Sequence, residues 1–235
     1  MAEVDFKLDP NRFYLGRTFD EYVLYAGSEM NLEREGSGGS TRLDNSAVLR
    51  SWYDQLKLEP YQVEALKLLN DGPDAPAMVL VISEDWSSDC RRDVPVFQRI
   101  AEAAGWELRI FNRDGDSFGG APEPTNDSPN RDLMMQFLNR KNGGTFQSIP
   151  VAAFFTKDGR YLYHFTEYAA IYDKDRVVMN HIRAPKPGET PEQTTQRGNR
   201  EFGALVASPL WRMWAAAAVD EIVSALHRRQ VLGAV

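Results

Sequence analysis

The stretch Glu84-Asp85-Trp86-Ser87-Ser88-Asp89-Cys90-Arg91-Arg92-Asp93-Val94-Pro95 joins a strand signal to a helix signal. Just before it, Ala77-Met78-Val79-Leu80-Val81-Ile82 is a continuous apolar run, which fits a strand buried on both faces. After it, Val94, Phe97, Ile100, Ala101 and Ala104 recur at helical spacing over 88–104, and Gly105 stops the helix. Ser87, Ser88 and Asp89 are residue types that cap a helix N-terminus. Further on, 106–111 reads as a second strand and 112–128 as a polar loop rich in Asp, Gly and Pro. A helix over 130–142 puts Leu133, Phe137 and Leu138 inward and closes at Gly143-Gly144. Residues 151–155 form a third strand, and Lys157-Asp158-Gly159-Arg160 turns the chain into a fourth over 161–165. A right-handed crossover makes the first two strands parallel, and the hairpin makes the last two antiparallel. The expectation is an α/β fold with a mixed four-stranded sheet flanked by helices.

Outside this unit, residues 1–76 read as a helical extension packed on the core, and 77–235 as the main domain with an insertion at about 166–205. Thr18-Phe19-Asp20-Glu21 is a capping box opening a helix with Tyr22, Val23, Ala26 and Met30. Residues 34–40, with Gly36, Gly38 and Gly39, read as a flexible surface loop. A helix over 45–56 carries Ala47, Val48, Trp52 and Leu56 on one side, and Pro60 starts another. In the insertion, 167–183 is helix-like and 184–199, with three prolines, reads as a loop. The last helix begins at Ser208-Pro209, with Trp211 and Trp214 as core anchors.

The 235 residues are 43% hydrophobic and 26% charged, enough for a full core without a disulfide framework or a structural metal. A net charge of −7 lacks the basic face that nucleic acid would need, so no nucleic-acid partner is expected. No apolar stretch approaches a membrane span, and 1–10 has no signal-like apolar region, so no membrane partner is expected. One cysteine, Cys90, closes no disulfide within the chain, and a cytoplasmic setting is the default. His164, His181 and His227 have no metal spacing, and Asp114-Gly115-Asp116 lacks the rest of a calcium loop. There is no phosphate-binding GxxxxGK[ST] and no GxSxG nucleophile elbow. No metal and no cofactor is implied.

Three features taken in order resemble the thioredoxin superfamily. Trp86-Ser87-Ser88-Asp89-Cys90 looks like that family's tryptophan followed by Cys-x-x-Cys, with Ser87 where the first cysteine belongs. Pro95 stands five residues after Cys90, where the family carries a helix-kinking proline. Ile149-Pro150 directly precedes a strand, where the family's proline is cis and lies against the motif. The string Cys90 to Pro95, with Gly143-Gly144 before Ile149-Pro150, looks like a bacterial thioredoxin-like subfamily with extra N-terminal helices. The resemblance covers about 77–165 and the last helix. It implies thiol–disulfide exchange and cell redox homeostasis, with Cys90 and position 87 as catalytic sites and Trp86, Ile149 and Pro150 as the substrate-binding surface.

Thiol–disulfide exchange needs a thiolate to attack a disulfide sulfur and a second thiol to resolve the mixed disulfide. Serine does neither, so dithiol turnover is expected to be absent. The buried acid that many family members carry in the preceding strand is Val81 here, while Glu84 and Asp85 read as solvated. A carboxylate beside the motif would raise the Cys90 pKa. Three readings stand open. Ser87 is a substitution in a dithiol oxidoreductase; or Cys90 acts alone, as a monothiol toward glutathione or a protein partner; or the chain is a non-catalytic binding module that takes an extended peptide beside Ile149. Arg91 and Arg92 read as a solvated helix face that could attract an anion such as glutathione.

Overall fold

The computed structural model describes residues 6–72 and 74–232. The extension contributes α1 (Pro10–Phe13), α2 (Phe19–Ala26), α3 (Glu29–Leu32), α4 (Ser46–Gln55) and α5 (Pro60–Leu68). Thr18 caps α2 in a closed capping box: its hydroxyl accepts from the Glu21 N–H at 3.3 Å, and Glu21 accepts from the Thr18 N–H at 2.8 Å. In α4 the buried side chain is Leu49, while Val48 is exposed. Leu8, Phe13, Phe19, Tyr22, Leu49 and Leu66 belong to one continuous core with the central sheet.

That sheet is built from β1 (Pro76–Ser83), then, after α6 (Ser88–Ala104), β2 (Glu107–Asn112). α7 (Arg131–Met134), β3 (Asn139–Lys141) and β4 (Gly144–Phe146) precede β5 (Val151–Thr156) and β6 (Tyr161–Thr166). The strand order is β2-β1-β5-β6, with β1 and β2 parallel and the other two pairings antiparallel. The mixed four-stranded sheet read from the sequence is therefore present. Residues 79–82 of β1 are fully buried, because helices cover both faces. α6 ends at Gly105, whose φ of 75° is the left-handed cap conformation that glycine adopts without strain.

Three regions differ from the sequence reading. The helix expected over 130–142 stops after α7 and a 3-10 turn at Met135–Phe137, and the chain then forms the β3–β4 ribbon. The cause is Asn142-Gly143, with φ of 51° and 75°: these are the positive φ angles of a tight hairpin turn, and a helix does not tolerate them. The stretch 167–183 is broken rather than continuous. It holds a 3-10 turn at Ala170–Tyr172, Asp173 at φ 40°, and a π-helical segment at Asp175–Ile182. The loop expected over 184–199 becomes α8 (Pro191–Val206), because Pro191 occupies the first helical position behind a Thr190/Gln193 capping box. α9 (Pro209–Leu232) buries Trp211 and Trp214 with Tyr172 and Val178 in a second, smaller apolar cluster.

Candidate functional site

Ile82 pairs with Val151 across β1 and β5, so Ser83 and Pro150 lie at the same end of the sheet, where the chain enters α6. The Ile149–Pro150 bond is cis. The register thus gathers Trp86, Ser87, Cys90, Ile149 and Pro150 at one end of the sheet.

Ser87 is the N-cap of α6. Its Oγ accepts from the Cys90 N–H at 3.4 Å, and its carbonyl accepts from the Arg91 N–H at 3.0 Å. Cys90, one turn in, is 0% exposed against 9% for Ser87. Burial pushes the Cys90 thiol up to about 12, and hydrogen bonds with Ser83, the Glu84 backbone and Ser87 oppose that shift only in part. The Ser83 Oγ lies 3.0 Å from the Tyr22 hydroxyl, so the sulfur sits at the end of a buried hydroxyl pair supplied partly by the extension. At neutral pH it is a protonated, enclosed thiol, the state in which a cysteine is least nucleophilic.

Glu84 and Asp85 are not solvated. They are 0% and 1% exposed. Arg34 Nη2 donates to Glu84 Oε1 at 3.1 Å, and Arg42 Nη1 lies 2.8 Å from both Glu84 Oε2 and Asp85 Oδ1. Asn31 and Asn45 donate to the two Asp85 oxygens at 3.1 and 3.0 Å. Buried carboxylates need such partners, and all four come from 31–45, the flanks of the Gly-rich stretch read as a surface loop. Within that stretch Glu35 and Ser37–Ser40 are exposed, while Arg34 and Gly36 are buried.

Arg91 and Arg92 do not form a solvated face either. Arg92 is 0% exposed, binds Asp93 through two 2.6 Å hydrogen bonds, lies 3.4 Å from Asp89 and stacks over Trp211 at 4.5 Å. Arg91 turns back to donate to the Asp85 and Trp86 carbonyls at 2.9 and 2.8 Å. The attraction of an anion such as glutathione therefore loses its basis at Arg92. Asp89 is bound by Lys174 Nζ, which also reaches Glu167 at 3.1 Å. Burial alone would lower Lys174, but Asp89 and Glu167 hold it above the ordinary lysine range.

Trp86 is half-buried beneath residues 113–118. Its Nε1–H donates to Asp114 Oδ2 at 3.2 Å, and the Phe118 ring meets it edge-on at 5.4 Å. Ile149 is 5% exposed and Pro150 is buried. The surface that the resemblance implies for substrate at these residues is therefore covered in this structure. Two clefts of ≈ 290 and ≈ 490 Å³ lie instead along β2, sharing Thr18 and Arg109, and neither is lined by Trp86, Ser87, Cys90, Ile149 or Pro150. The sequence reading missed Arg34, Arg42, Lys174, Phe118 and Gln147. An acid beside an apolar strand is a signal that a cation must lie nearby, but the pattern carries no indication of which distant residue supplies it.

Among the described residues no His, Cys, Asp and Glu group could hold a metal ion. No single helix among them is long and apolar enough to cross a membrane, although α8 and α9, bent by 61°, pass that test jointly.

A family model described as Thioredoxin matches residues 39–119. That span contains β1, the motif, α6 and β2. No curated protein matches the chain. Among solved structures, a protein of unknown function from Pseudomonas aeruginosa is similar with a TM-score of 0.51 and 15% identity, over 92% of this chain and 94% of that one. An HIV epitope-scaffold is similar with a TM-score of 0.51 and 14% identity, over the same shares. At these identities the likeness bears on fold alone. The matched motif, read with the sheet order β2-β1-β5-β6, supports a thioredoxin-superfamily assignment.

Proposed function

We propose that this chain is a thioredoxin-fold protein of thiol–disulfide oxidoreductase type that performs no thiol turnover and acts as a binding module. The observation that carries the reading is the state of the Cys90 thiol: fully enclosed, with its pKa pushed up to about 12. Without a thiolate it neither attacks a disulfide nor forms a sulfenic acid at neutral pH, which removes the support for a monothiol role. Ser87, at the position of the missing nucleophile, caps α6 and supplies no sulfur. The candidate binding surface is the one around Trp86, Ile149 and Pro150, covered in this structure by residues 113–118; uncovered, it would suit an extended protein segment pairing with the backbone beside Ile149. A single enclosed cysteine is compatible with a cytoplasmic setting.

The test has two arms. Insulin reduction with dithiothreitol should run no faster with this protein than without it, and thioredoxin-like turnover would overturn the reading. Titration with a reduced, carboxymethylated unfolded polypeptide should change the intrinsic fluorescence, and the change should vanish in Trp86→Phe. No change in the wild type would contradict the binding role.

A further inference from the structure

Residues 113–121 leave β2 and fold back over the end of the sheet that carries Trp86 and Ile149. Three independent sets of contacts hold them there. At Trp86, Asp114 takes the indole N–H, Phe118 lies edge-on, and the Arg113 guanidinium stands 5.2 Å from the ring. At the extension, Arg34 donates to the Asp114 and Gly115 carbonyls at 2.6 and 2.9 Å. Glu35 gives its N–H to the Asp116 carbonyl at 2.8 Å, and its carboxylate accepts from the Phe118 N–H at 3.0 Å. At the segment before Pro150, Gln147 Nε2 donates to the Ala121 carbonyl at 2.8 Å and reaches the Gly119 carbonyl at 3.5 Å, while Arg113 donates to the Gln147 carbonyl at 2.9 Å. Gln147, Ser148 and Ile149 are left 5%, 9% and 5% exposed. The Gln147 Oε1 atom is buried without a hydrogen-bond partner.

We propose that residues 115–121, anchored at the buried Arg113 and Asp114, are a displaceable cover that fills the partner surface from within, as a stand-in for an extended segment bearing an aromatic side chain. The contacts have the form such a ligand would use: an aromatic ring on Trp86 and backbone carbonyls two residues apart, Gly119 and Ala121, on the Gln147 amide. They also have the form of something that opens. Arg113 and Asp114 are buried, and the Asp114 N–H donates to Glu84 at 2.8 Å, so they anchor the segment; beyond them 115–121 has no helix or strand, Asp116, Ser117 and Gly120 are exposed, and Phe118 is only half-buried, so few apolar contacts oppose release of that part. An incoming partner would supply its own aromatic group to Trp86, its carbonyls to Gln147 Nε2, and an N–H to the unpartnered Gln147 Oε1. This rests on the binding reading for its biological use, but the cover itself is testable without it.

The probe is a single thiol at the motif, in the double variant Ser87→Cys/Cys90→Ser, alkylated by iodoacetamide under native conditions. Adding Phe118→Ala should speed alkylation by about tenfold, because Trp86, the neighbour of position 87, loses the ring packed on it and the turn that carries both opens more readily. Glu35→Ala, at an exposed residue that holds only the outer face of the segment, should act in the same direction and serves if Phe118→Ala does not fold. A peptide with the sequence of residues 116–121, added at millimolar concentration, should slow the reaction in the Phe118→Ala background, and the same peptide with Ala for Phe should not. Equal rates with and without both loosening substitutions would overturn the cover. A faster rate that the peptide leaves unchanged would overturn the stand-in. Insulin turnover by the wild type would defeat the binding reading and leave this result intact.

Discussion

The two additions to the thioredoxin-like core meet α6 from different sides and solve the same problem differently. The extension approaches the strand-to-helix turn and places Arg34 and Arg42 on Glu84 and Asp85. The insertion approaches the first turns of the helix and places Lys174 on Asp89, with Tyr172 and, from α9, Trp211 against Arg92. Both neutralise acids buried in or beside the motif. The extension does so inside the main core, where the Arg42 side chain is 0% exposed. The insertion does so from a separate apolar cluster, where Lys174 stays 24% exposed. The extension is thus packed into the main core, while the insertion packs in a smaller apolar cluster beside it.

That contrast is open to measurement. Arg42→Met removes the cation shared by two buried carboxylates and should cost about 3–5 kcal/mol in urea unfolding, because an uncompensated buried charge is left behind. Lys174→Met should cost less, about 1.5–3 kcal/mol, since Asp89 keeps Arg92 at 3.4 Å and solvent reaches the site. A Lys174→Met cost equal to or above that of Arg42→Met would remove the distinction between the two sides. Hydrogen exchange sharpens it: amides of 175–182 should exchange through a lower-energy opening than those of 79–82.

The enclosed thiol predicts a pH effect of intermediate size. Its folded pKa, about 12, lies above the ordinary thiol value, so between the two the folded chain holds a proton that the unfolded chain has released. The stabilisation is complete below the ordinary value and is lost as pH rises toward 12. The stability difference between wild type and Cys90→Ala should shrink by about 1.4 kcal/mol for each pH unit above roughly 9. A difference independent of pH up to 11 would show that the thiol is not enclosed. The smallest effect belongs to an exposed pair distant from both additions. Lys67→Ala removes the surface contact with Glu64 and should alter stability by less than about 0.5 kcal/mol.

Much of the fold was legible because it rests on local rules. The apolar run of β1, the 3.6-residue spacing in α6, the Thr18 capping box and the Gly159 turn each act over a few residues, and their sum is the mixed sheet. The misread regions also had local signals: Asn142-Gly143 is a hairpin dipeptide, and Thr190-Pro191 followed by Gln193 is a helix start. The motif itself was legible as Ser87 and Cys90 at the spacing of a helix turn. What surrounds it was not. Glu84 and Asp85 look solvated until Arg34 and Arg42, some forty to fifty residues earlier, are brought to them by the path of α3 and α4. Phe118 and Gln147 reach the site through loops that carry no periodicity.

Native-state alkylation of Cys90 tests the central claim most directly. Near neutral pH, iodoacetamide should leave Cys90 unmodified by mass spectrometry over a period in which the urea-unfolded chain reacts completely. Modification of the folded protein at the rate of a free thiol would contradict the account, because the sulfur would then be neither enclosed nor held in its protonated state.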